Sequence, residues 1–310
     1  MWADERSDDM RAEKSHSAAS NYMRRRSAIG YVFLLPGFLF FCFAILIPFI
    51  MGFHISFTDW NGIAREYNYV GFGNFATMFR DSRIIKPLTN SLKFALLGTV
   101  GNNLIALSTA LLVNSQPLSR SFNGAFSRVA RTIFFVPVCF SAILTAFVWS
   151  YIYSKVFPAM FGIKSLLGQK NTVIPAIVLM ALWNSQGINM LIYYSGLKNI
   201  PQEVYEAAIV DGASPWYKFI HVTLPLLAPS FTVCVTLSLT GWLREFATTL
   251  AATGGGPSNY SQTMAIYIYS NLFSYSKAGY GQAVAIAFAI MLIVIGQSVS
   301  AFFRSKEVQM

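Results

Sequence analysis

The chain has 310 residues, of which 55% are hydrophobic and only 12% charged, against roughly 25% charged in an average soluble domain. Its apolar residues gather into long blocks, which excludes an ordinary soluble fold. The formal net charge of +10 does not point to nucleic acid either, because the basic residues are not gathered on one face with interleaved aromatics.

In chain order, segment 1–28 is polar, mixed in charge, and closes near Arg24, Arg25 and Arg26. It is expected to be a mostly disordered cytoplasmic tail whose arginines orient the first span. The apolar run that follows is longer than the core of a secretory signal peptide and ends in no small-x-small cleavage site, so it is read as a span. A span needs about 20 mostly apolar residues, and backbone groups in lipid must be paired internally, so each span should be helical. Six stretches qualify: 29–56, 88–114, 130–154, 173–197, 224–252 and 282–303. Pro36, Pro48 and Pro137 fall inside them and predict kinks rather than ends. Cys42, Cys139 and Cys234 lie far apart within apolar runs, without metal-ligand spacing, and are expected to be inert buried thiols.

Between the first two spans, Ser56-Phe57-Thr58-Asp59-Trp60-Asn61 and Tyr69-Val70-Gly71-Phe72-Gly73-Asn74-Phe75 predict an external loop with interfacial aromatics and a turn. Lys and Arg are retained preferentially in the cytoplasm, and more of them fall on that side when both termini are inside. The same orientation puts the connection 198–223 in the cytoplasm.

Polar groups at membrane depth are costly, so they mark the places to look for a solute path. The fourth span carries Trp183, Gln186 and Met190 on one face at helical spacing, with Asn184 and Asn189 to either side. The fifth adds Thr236, Ser238, Thr240, Trp242, Arg244 and Glu245. Amides and hydroxyls can bond the hydroxyls of a polar solute, and indole rings can stack on C–H faces. The same groups also serve as hydrogen-bonded glue between helices. The candidates for a path are Trp183, Asn184, Gln186, Asn189, Met190, Thr240, Trp242 and Glu245. Arg244 is expected to snorkel to the outer interface.

The stretch Ile200–Ser230 reads as two short helices with a tight break. Pro201 suits a first helical position, and Glu203 and Glu206 favour the positive end of the helix dipole. Asp211-Gly212 breaks the chain, and Ser214-Pro215 caps and starts the second helix. Ala207 and Ala208 leave room for another surface to approach.

This stretch closely resembles the EAA loop of the membrane subunits of bacterial ABC importers: Glu206-Ala207-Ala208, three residues, Gly212, then an apolar run ending in Pro225. The resemblance continues in Ser56-Phe57-Thr58-Asp59-Trp60, in the third span opening at Arg131, and in Thr253-Gly254-Gly255-Gly256-Pro257. These stretches turn it toward carbohydrate permeases of the maltose and multiple-sugar type. It covers the chain from first span to last and leaves only the tail outside.

The resemblance implies an all-α polytopic membrane protein with six transmembrane helices and the type I importer permease fold, in a bacterial cytoplasmic (inner) membrane. A permease domain over 29–303 would stand between the tail 1–28 and a cytoplasmic tail 304–310, with the coupling loop at 198–223. Glu206, Ala207, Ala208, Asp211, Gly212 and Pro215 would couple the chain to a separate ATPase. The implied partners are a second homologous permease, two ATP-binding subunits, an extracellular or periplasmic sugar-binding protein and the lipid bilayer, with no nucleic acid. The chain carries no G-x-x-x-x-G-K-[ST] phosphate loop. ATP and Mg would therefore bind on the partner, and this chain would hold no cofactor, no metal and no catalytic residue. A permease for a non-sugar solute shares the loop and is the alternative. An ion-coupled carrier would need an internal repeat and intramembrane acids, yet no repeat is visible and Glu245 is the one acid inside a span.

Overall fold

The structure is a computed structural model that describes Tyr31, residues 33–114 and residues 125–307. The tail 1–28 with its arginines, Arg120, and the last residues of 304–310 lie outside the described residues. Among the described residues four helices are long and apolar enough to cross a membrane, and two bent pairs raise the number to six if each pair is one span. The described residues are otherwise loop and short helix, apart from one antiparallel bridge between Thr58 and Tyr69.

The chain divides into two compact units, one up to Ile55 and one from Ser56 onward. The first contains helix α1, Phe33–Ile55. It widens into a π-turn over Cys42–Leu46, where the Ile47 N–H donates to the Cys42 carbonyl. Pro48 follows directly, and its missing N–H and bulky ring disfavour regular α-bonding there.

In the second unit the loop after Ser56 folds on itself: Asp59 accepts the Asn68 N–H at 2.7 Å, and Val70 N–H donates to the Phe57 carbonyl at 2.8 Å. Phe57 packs against Tyr69, Phe72 and Phe75. Helix α2 (Gly73–Arg80) is tied to this loop by Asn74, whose amide donates to the Ser56 and Thr58 carbonyls at 2.8 Å. Helix α3 runs Ser82–Asn114. Its N-terminus is held by Asp81, which takes two hydrogen bonds from the Arg83 guanidinium and one each from the hydroxyls of Tyr267 and Tyr280.

The Arg83 bonds, with those of Tyr280 and Tyr267, hold the Asp81 carboxyl well below the usual carboxylate range, against the opposing effect of burial. A carboxylate depressed in the folded state gives its full stabilisation above the unfolded value of about 3.9, losing it only as pH falls through the lower folded value. Asp81→Ala is therefore expected to lower the thermal midpoint by the same amount at pH 7 and at pH 5. A gap that changes between those two pH values would show that the latch is not held by this ionised group.

The third predicted span is not continuous. Helix α4 (Ala125–Phe135) passes through a 3-10 turn, Val136–Cys139, before α5 (Ala142–Phe161), and the two arms are bent by 97°. Pro137 thus makes a break where a kink is expected from the sequence. The break is possible because helix α6, Val173–Asn199, supplies the missing partners. Asn184 donates to the carbonyls of Pro137 and Phe140 at 2.7 and 3.0 Å, the first of which also takes the Phe140 N–H at 3.1 Å, and Gln186 donates to that of Phe134 at 3.1 Å. Non-helical backbone at membrane depth survives only with such substitutes.

After α6 come α7 (Gln202–Val210), α8 (Pro215–Leu226) and α9 (Ala228–Leu243), with a 68° bend between the last two beside Pro225 and Pro229. The fifth span also stops earlier than 252. Helix α9 ends at Leu243, and a separate helix α10, Ala247–Thr253, follows. Helices α11 (Met264–Tyr269) and α12 (Ala278–Arg304) complete the described chain. Small residues let the helices close up: a Cβ on Gly98 of α3 would fall 2.0 Å from the Trp242 ring of α9, and one on Gly196 of α6 would fall 2.1 Å from Ser230 Oγ. One core cluster gathers Phe94, Ile177, Met180 and Trp242, and another Ala106, Met190, Tyr193, Leu227 and Cys234. The thiols are free, but only Cys234 is buried; Cys139 is exposed, because it closes the turn at the broken span.

Candidate functional site

Two places carry the residues singled out from the sequence. The first is the elbow made by α7 and α8. Pro201 caps α7 from outside, so the helix begins one residue later than expected, at Gln202. At its end the Gly212 N–H donates to the Ile209 carbonyl at 3.0 Å and the Ala213 N–H to the Ala208 carbonyl at 2.9 Å, with Gly212 at φ +76°. These are the two bonds of a Schellman close, which needs a left-handed residue at this position. Ser214 Oγ then accepts the Tyr217 N–H at 3.2 Å, capping α8 with Pro215 at its first turn.

Glu206, Ala207, Asp211, Gly212 and Pro215 are all exposed, and Ala208 is half-buried. Around them, Ile209 (58% exposed), Val210 (86%) and Trp216 (69%) also stand open. Large apolar groups grouped on a polar connection are the kind of surface that protein, membrane or ligand contacts use. Tyr205 fastens the elbow to the start of the fifth span through its hydroxyl, 3.2 Å from Thr223 Oγ1. His221 stacks on Tyr217 at 4.0 Å.

The second place is a cavity of about 390 Å³ lined by α3, α6 and α9, with Asn102, Ser185, Asn189, Ser238, Trp242 and Glu245 among its walls. Asn102 and Asn189 both donate to Ser238 Oγ, at 3.1 and 2.7 Å, and the Ser185 hydroxyl lies 3.5 Å from Asn102 Oδ1. The three helices are therefore joined through one hydroxyl at mid-span. Glu245 sits past the end of α9, its Oε1 accepting the Thr249 N–H at 3.1 Å.

Of the predicted path residues, Asn184, Asn189, Trp242 and Glu245 line this cavity. Trp183 and Gln186 instead line an apolar cleft of about 370 Å³ with Ile105, Phe134 and Trp149. There Trp183 stacks on Phe140 at 5.9 Å and meets Trp149 edge-on at 6.1 Å. Met190 is fully buried in the core. Thr240 returns its hydroxyl to the Thr236 carbonyl at 2.8 Å. The face of α6 that reaches the cavity is thus Asn184, Ser185, Ile188 and Asn189, rather than Trp183, Gln186 and Met190. Asn102, Ser185 and Thr248 line the cavity without having been singled out. The paired Asn102-Asn103 in the middle of an apolar run is the signal that would have found the first. Arg244 is exposed and gives its Nε–H to the Thr240 carbonyl at 3.1 Å.

Comparison with known proteins places this geometry in context. Residues 102–305 match the family described as "Binding-protein-dependent transport system inner membrane component". The probable starch degradation products transport system permease protein AmyD of Thermoanaerobacterium thermosulfurigenes is 32% identical, over 90% of this chain and 95% of its own. The multiple sugar-binding transport system permease protein MsmF of Streptococcus mutans is 28% identical, over 86% and 91%. Among solved structures, a chain of a bacterial ABC transporter that imports the acidic polysaccharide alginate aligns with a TM-score of 0.75 at 21% identity, covering 91% of this chain and 96% of that one. A chain of the MetNI methionine ABC transporter aligns at 0.56 and 14% identity, over 74% and 100%. At these identities the two structural likenesses concern the fold alone.

Proposed function

The chain belongs to the family of binding-protein-dependent transport system inner membrane components, and from that membership we propose that it is the permease subunit of a sugar or oligosaccharide importer driven by ATP. The sugar class is supported by relatives named for starch degradation products, multiple sugars and arabinooligosaccharides. The observation that carries the coupling part is the elbow: an ordered turn on a polar connection that leaves Ile209, Val210 and Trp216 exposed beside Glu206.

In this reading the elbow docks on a separate ATP-binding subunit, one of two, which holds the ATP and Mg. Closure of the ATPases moves the elbow, Tyr205 passes that motion to the start of the fifth span, and the helices rock between inward-open and outward-open states. The mid-span cavity is this chain's half of a path completed by a second, homologous permease, and a binding protein outside the membrane delivers the sugar. Both termini and the elbow face the cytoplasm. A solute of another class is the alternative that substrate assays decide.

Purification of the tagged chain from mild detergent is expected to bring down an ATPase and a second permease in fixed ratio. ATP hydrolysis by that complex is expected to rise with one loaded sugar-binding protein. Uptake by this chain alone, driven by an ion gradient, would overturn the proposal.

A further inference from the structure

The mid-span cavity carries one ionisable side chain among its lining residues, Glu245. Thr249, on the far side of the break between α9 and α10, gives both its N–H and its hydroxyl to Glu245 Oε1, at 3.1 and 3.3 Å. The carboxylate is thereby fixed at the wall. Arg244, next to it in sequence, is exposed and gives its Nε–H to the Thr240 carbonyl. Among the described residues no ion pair neutralises Glu245.

The other polar groups of the wall are neutral and already joined to one another: Asn102 and Asn189 donate to Ser238, and Asn189 also reaches the Cys234 carbonyl at 3.3 Å. Glu245 is thus the one wall group of this chain whose ionised form gives the cavity a charge. Low-dielectric walls concentrate the effect of such a charge on any solute that enters. An ionisable residue at membrane depth that lines a cavity is where function is expected.

We propose that Glu245 is a selectivity residue of the path: it favours solutes that bring hydroxyl or ammonium donors and disfavours those that bring carboxylates. Resting on the reading of the chain as a sugar permease, this assigns its cargo to neutral or amino-bearing saccharides rather than uronates. The sign is opposite to the one an acidic polysaccharide would require, although the fold is shared with an alginate importer chain.

The test reads the charge without sugar or transport. Gly241 lines the cavity one helical turn before Glu245, and a Cβ there meets no heavy atom within 4 Å. Gly241→Cys is introduced where Cys42, Cys139 and Cys234 have been replaced by alanine, and the assembled complex is kept in its membrane. Its thiol is reacted with an ammonium-bearing and a sulfonate-bearing methanethiosulfonate, each rate being divided by that of free cysteine. The ammonium reagent is expected to be faster by about tenfold, equivalent to ~1.4 kcal/mol. Glu245→Gln, which keeps an acceptor for Thr249, should bring the ratio to about one; Glu245→Asp should retain the preference. The same comparison at Ser185→Cys, on the α6 wall, serves where Gly241→Cys lowers abundance. Equal rates in the parent, a preference that survives Glu245→Gln, or thiols that react with neither reagent would each overturn the proposal. A charge preference without sugar uptake would uphold the assignment of Glu245 and reject the saccharide reading instead.

Discussion

Sugar uptake is expected to be abolished when Gly212 is replaced by proline, with ligand capture by the separate binding protein intact. Proline holds φ near −65°, so it is incompatible with the φ of +76° that Gly212 adopts. It also removes the N–H that closes α7 on the Ile209 carbonyl. A Cβ at this position meets nothing within 4 Å beyond its chain neighbours, so the damage falls on the turn and the direction of α8. Gly212→Asn tolerates the left-handed conformation and is expected to retain most uptake. Glu206→Ala is the second arm. Its carboxylate accepts the Gln202 amide one turn earlier, at 3.0 Å, and such a pair stabilises a helix by only about 0.2–0.5 kcal/mol. Loss of uptake in that variant, at unchanged abundance in the membrane, therefore reports a missing contact with a partner rather than misfolding. Undiminished uptake in Gly212→Pro would remove the elbow from the mechanism.

That elbow was legible in the sequence because its determinants are local. A left-handed glycine, a serine cap and a proline at the first turn act within a few residues, and Gly212, Ser214 and Pro215 occupy the roles that their chemistry predicts. The broken third span was not legible, although Pro137 was in view. Whether a proline bends a helix or ends it depends on what receives the freed carbonyls. Here those partners are Asn184 and Gln186, some fifty residues further on. How the candidates of α6 divide between cavity, cleft and core was not legible for a related reason. A span that is apolar nearly all round has no polar stripe to mark its inward face. Helical spacing could group Trp183, Gln186 and Met190, but not show that Asn184 and Asn189 face the cavity. Their partners lie on other spans, and only packing reveals them.

Gly98→Ala is expected to destabilise the second unit and to stop uptake, although it adds a single methyl group. That methyl would lie far inside van der Waals contact with Trp242 Cδ2, Cε2 and Cε3. Trp242 is 6% exposed and packs with Phe94 and Ile177, so it has no open side to move into except the cavity. Overpacking of this kind costs about 1–3 kcal/mol, and a displaced indole narrows the space beside Glu245. Trp242→Leu in the same chain gives the methyl room. By itself it leaves a void, but combined with Gly98→Ala it should be less damaging than the sum of the two single changes, as coupled neighbours are. Thermal unfolding of the four proteins in the same detergent measures that coupling, and uptake in cells follows the shape of the cavity. Additive losses, or a Gly98→Ala chain with the midpoint and uptake of the parent, would show that α3 and α9 do not depend on this approach. If the coupling is found, the glycine that lets α3 reach the indole also sets the width of the path, because one ring serves as both packing surface and wall.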